Sequence, residues 1–105
     1  MKYSGIYKIM ANNEKDADRS IIALFNEAIR PDLEEFRGPC EFVATQILPI
    51  KSPFRDFPGE YEVHFLLILP QCSLKKGDPD FWVLEYDMGA DLYSIEDPFF
   101  MRKGA

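Results

Sequence analysis

The sequence predicts an α+β domain: a four-stranded, mostly antiparallel sheet with one main helix packed on one face, in the order strand, helix, strand, strand, strand. Three observations lead there. One long stretch carries the apolar spacing of an amphipathic helix. Four shorter stretches alternate apolar and polar side chains with the period of a strand. The last three of these are joined by connections short enough for antiparallel hairpins. At 105 residues the chain reads as a single domain over 1–105, with 89–105 as a partly ordered tail.

Residues 2–10 read as the first strand. Tyr3, Gly5, Tyr7 and Ile9 share one side, and Lys2, Ser4, Ile6 and Lys8 share the other. Asn12 and Asn13 then break the strand and suit a helix cap, because a short amide side chain can accept from the first free N–H groups. Residues 14–30 form the main helix, with Ile21, Ile22, Phe25, Ala28 and Ile29 on its apolar stripe. Glu14, Asp16 and Asp18 suit the positive end of the helix dipole, and Arg30 suits the negative end. Pro31 is at home in a first helical turn, so 31–36 reads as a second short helix or a kinked continuation, with Leu33 and Phe36 extending the stripe. Gly38 followed by Pro39 ends it.

Residues 40–50 read as the second strand, with Phe42, Ala44, Gln46 and Leu48 opposite Val43, Thr45 and Ile47. Residues 60–71 begin as an alternation, Tyr61, Val63 and Phe65 against Glu62 and His64. They end in the run Leu66-Leu67-Ile68-Leu69, apolar on both sides, which places this strand in the middle of the sheet. Residues 81–88 read as the fourth strand, with Trp82, Leu84, Tyr86 and Met88 facing one way and Phe81, Val83, Glu85 and Asp87 the other. Residues 51–59 and 73–79, rich in proline and glycine, are loops. A short helix near 91–94 and an extended end at 98–101 complete the reading.

Composition narrows the function. The net charge is −6, from 12 basic and 18 acidic residues. A nucleic-acid binder displaces counterions with positive charge, so direct binding to nucleic acid is not expected, and neither is a basic membrane-surface role. No secretory signal or membrane span is read in the sequence. Two cysteines, Cys40 and Cys72, are too few for a disulfide scaffold and read as reduced thilols of a cytoplasmic protein.

No catalytic, cofactor-binding or metal site is expected. His64 is the single histidine, and zinc-ligand spacings are absent. It reads as a strand residue on the more polar face, away from a Cys–His pair. The six glycines form no phosphate-binding loop, and no serine sits in a nucleophile elbow.

One segment stands apart. Residues 78–97 carry seven acids, Asp78, Asp80, Glu85, Asp87, Asp91, Glu96 and Asp97, and no Lys or Arg. The 77 residues before it are nearly balanced, so this segment holds the chain's charge imbalance. Phe81, Trp82, Tyr86, Tyr93, Phe99 and Phe100 are interleaved with it or follow it. Charges steer encounter with a basic partner, and rings at the centre of a patch supply affinity. Asp80, Trp82, Glu85, Asp87, Asp91 and Tyr93 are therefore candidate partner-binding residues, together with Phe54 and Phe57 of the 51–59 loop.

The leading expectation is a small acidic protein-binding module without enzymatic activity: an inhibitor or immunity-type protein masking a basic surface of a partner, such as a nuclease toxin or another nucleic-acid enzyme. A second is a homodimeric structural or accessory subunit closing through its open sheet face. A third is a small enzyme with Glu85, Asp87, His64 and Tyr86 lining a pocket.

Overall fold

A computed structural model describes residues 1–50 and 59–95. Its elements are β1 (Lys2–Ala11), α1 (Glu14–Leu24), a π-helical turn (Phe25–Ile29), α2 (Arg30–Arg37), β2 (Glu41–Pro49), β3 (Gly59–Ile68), α3 (Pro79–Met88) and β4 (Leu92–Ser94). The four strands form one sheet in the order β2-β3-β1-β4, antiparallel at every pairing. The expected class holds: an antiparallel four-stranded sheet with a main helix. As expected from its two-sided apolar run, β3 is a central strand.

The main helix begins at Asn13, whose Oδ1 accepts from the Asp16 N–H at 2.8 Å, while the Asp16 carboxylate accepts from the Asn12 N–H at 3.0 Å. It continues unbroken through Pro31 by way of the π turn, in which the Arg30 N–H reaches back to the Phe25 carbonyl. Proline lacks an N–H and its ring crowds the preceding turn, so a wider turn just ahead of Pro31 lets the helix pass. The same turn resets the phase of the stripe. Ala17, Ile21, Phe25, Leu33 and, half-buried, Ile29 recur every fourth residue. In an unbroken α-helix that interval drifts by about 40° each time, and the wider turn takes up part of the drift. Phe36 is thereby left outside the stripe, 74 % exposed, contrary to the expectation from regular helical spacing.

The larger correction concerns 81–88, which is helix α3 and not the fourth strand. Phe81, Leu84 and Met88 are buried at intervals of three and four, Pro79 occupies the first turn, and Gly89 ends the helix at φ +69. The fourth strand is Leu92–Ser94, where a short helix was expected. β2 also departs from plain alternation: a bulge between Ala44 and Gln46 leaves Thr45 unpaired. Phe42, Ala44 and Ile47 therefore share the inner face, while Val43, Gln46 and Leu48 turn outward.

All helices pack on the same face of the sheet. A row of rings crosses the core from the helix to the central strands: Phe25 on Phe42 at 4.3 Å between centroids, Phe42 on Phe65 at 5.1 Å, and Phe65 on Tyr7 at 4.8 Å. α3 joins this core through Phe81, 5.9 Å from Tyr3, and through Leu84 and Met88. The opposite face of the sheet carries no helix among the described residues.

Candidate functional site

Helix α3 is held in place by a few specific contacts. Tyr7 donates its hydroxyl to the Met88 carbonyl at the end of the helix. Burial pushes that phenol up to about 12, so it stays a neutral donor. The Glu85 carboxylate accepts from the Leu92 N–H at 2.8 Å, tying the helix to β4. Tyr3, fully buried, accepts from the Leu74 N–H at 2.8 Å and donates to the Leu74 carbonyl at 3.0 Å, which fixes the chain leading into α3. At the other end, Arg37 donates to the Asp80 carbonyl at 3.4 Å and joins the end of α2 to the start of α3.

These contacts use one side of α3. The other side presents Trp82, 69 % exposed, and Tyr86, 86 % exposed, one turn apart. Beside that pair runs a second line, Asp80, Val83 and Asp87, all exposed. Under the strand reading Trp82 and Tyr86 shared a face with Leu84 and Met88; in the helix those two are buried, while Trp82 and Tyr86 stand exposed with acids alongside. Asp87 sits in the last turn, where a carboxylate opposes the helix dipole, and no basic residue accompanies it. Its placement is not explained by helix stability.

The structure separates the remaining candidates. Glu85 is half-buried and occupied with Leu92, so it belongs to the scaffold and not to the ridge. It also does not share a face with Asp87, since two residues along a helix point well apart. Asp91 is exposed in the turn before β4. Tyr93 lies on the opposite face of the sheet, paired with Ser4 and covered by the Lys76 ammonium at 4.4 Å from its ring. Phe54, Phe57, Glu96 and Asp97 lie outside the described residues.

The carboxylate and histidine grouping is not assembled. His64 projects from the helix-free face of β3, where its Nε2 pairs with Glu62 Oε1 at 2.6 Å, while Tyr86 and Asp87 stand on α3 on the other side of the sheet. Cys40 and Cys72 are free thiols, as expected. Cys40 is buried in the core beside Arg30 and Glu34, and burial is the main cause raising its thiol pKa. No group of three or more potential metal ligands occurs among the described residues, and no described helix is long and apolar enough to cross a membrane. Comparison with protein-family models, with curated proteins and with solved structures finds no significant match.

Proposed function

We propose that this chain is a small cytoplasmic protein-binding module, an inhibitor or immunity-type protein whose α3 ridge masks a basic surface on a partner. A nuclease or another nucleic-acid enzyme presents such a surface, because it must hold phosphates. The observation that carries the reading is the pairing of Trp82 and Tyr86, exposed one turn apart, with Asp80 and Asp87 alongside. Large rings held on a rigid helix lose little side-chain freedom on binding, and the surrounding carboxylates steer a cationic partner. The two free thiols suit a reducing compartment.

The test is affinity capture from the native host, with wild type beside a Trp82→Ala/Tyr86→Ala variant and an Asp80→Lys/Asp87→Lys variant, each checked for native circular dichroism. A single basic partner held by wild type and lost by both variants supports the reading. Capture of the same partner by all three proteins removes the ridge from the mechanism.

A further inference from the structure

The helix-free face of the sheet is unusually apolar for a surface facing water. Ile6, Met10, Val43 and Leu48 are exposed on it, and Leu66 and Ile68 are half-exposed. Its charges are sorted by strand. β1 supplies Lys2 and Lys8, while β2 and β3 supply Glu41, Glu60 and Glu62. The Lys8 ammonium forms no ion pair among the described residues, and Glu62, directly across from it, pairs with His64 through Oε1.

We propose that this face is the contact between two copies of the chain, packed sheet on sheet about a two-fold axis that runs along the strands between β1 and β3. That axis keeps each row of the face at its own level and exchanges β1 for β3. The partner's β1 then lies over β3, so Lys8 of one copy faces Glu62 of the other, twice by symmetry. Leu66 meets Ser4, Ile6 meets His64, Met10 meets Glu60, Ile68 meets the aliphatic stem of Lys2, and Val43 of β2 comes over Tyr93 of the short strand β4, whose ring also carries the Lys76 ammonium. Packed sheets lie about 10 Å apart, a gap that a lysine and a glutamate span together. A two-fold across the strands at the level of His64 instead sets Leu66 on Glu62, Ile68 on Glu60 and Lys8 on Ser4, so that the Lys8–Glu62 contact is lost. The contact of opposite charges between Lys8 and Glu62 forms in the first arrangement and not in the second. The ridge of Trp82 and Tyr86 lies on the far side of each copy and stays free, so the dimer does not depend on the function proposed above.

Analytical ultracentrifugation of the full chain at about 0.15 M ionic strength, where screening is moderate, tests this directly. Wild type is expected to form a dimer. Lys8→Glu alone and Glu62→Lys alone each place two like-charged pairs in the interface and raise the dissociation constant by about tenfold or more. Mixed in equal amounts, the two variants regain a dimer, because each heterodimer then pairs opposite charges at both positions. An effect within one chain does not produce that rescue. Val43→Asp, on the exposed edge strand, weakens the dimer without touching the Glu62–His64 pair. A monomer at every concentration overturns the proposal. So does a dimer indifferent to all three substitutions, or a mixture of folded variants that stays monomeric.

Discussion

At the scale of single residues, two positions on β1 show how tightly the core constrains the chain. Gly5 lies across from Phe65, and a Cβ built on it falls 2.4 Å from the Phe65 ring and 3.0 Å from the Asp91 carbonyl. The ring fills the space that the missing side chain leaves, against the turn that leads into β4. Gly5→Ala is expected to lower stability by about 1–3 kcal/mol through overpacking, measured by urea unfolding. Tyr7, two residues on, donates to Met88 from a partly buried position with its pKa pushed up to about 12. The unfolded chain ionises first, near pH 10, so the folded state loses stability as pH rises from about 10 toward 12. Below pH 10 both states hold the proton and this contribution is complete. Tyr7→Phe is expected to flatten that alkaline decline in denaturant midpoints. A decline of equal depth in the variant rules Tyr7 out as its source.

At the scale of elements, α3 is both the misread segment and the candidate site, for one reason. Its ten residues, PDFWVLEYDM, are apolar around most of the circumference. Alternation and helical spacing therefore both find matches in it, and the rings favour the strand reading. The boundary signals were nonetheless present: Pro79 in the first turn, Asp80 beside it, and Gly89 just past the end. Trp82 and Tyr86 take no part in the core contacts of α3, and Asp87 adds nothing to the stability of its helix. Asp87→Asn removes a charge from the negative end of the helix and is expected to raise stability by about 0.3–1 kcal/mol in thermal unfolding. The same substitution is expected to weaken partner capture. Unchanged capture together with higher stability would remove Asp87 from the binding surface. The bulge at Thr45 follows the same pattern of a legible but overlooked sign, since two polar residues in a row interrupt the alternation between Ala44 and Ile47.

At the scale of the whole molecule, the helices cover one face of the sheet and leave two distinct surfaces. One is the acid-flanked ridge on α3; the other is the apolar face of β1, β2 and β3. Their responses to salt should differ. At about 1 M ionic strength the screening length falls to about 3 Å, so a steered complex with a basic partner is expected to bind more slowly and more weakly. The sheet-to-sheet dimer is expected to persist, because apolar burial is not screened. Measuring both equilibria in one salt series separates the two surfaces: parallel loss of both would mean that one surface serves both contacts.

Much of this protein was determined by local sequence alone. Main-chain periodicity and capping chemistry act over a few residues, so β1, the main helix from its Asn13 cap, β2, the central β3 and the antiparallel class were legible without contacts. The concentration of acids in 78–97 was likewise a matter of counting. Tertiary structure decided which side of each ambiguous element met the core. Phe81, Leu84 and Met88 reach the sheet together only if α3 is a helix, and that choice turned Trp82 and Tyr86 outward. Glu85 became a fastening for β4, and Tyr93 went to the opposite face, because the register of β4 on β1 pairs it with Ser4. Burial is a property of the packed ensemble of elements, and a pattern that fits two periods acquires one meaning only when its partners are in place.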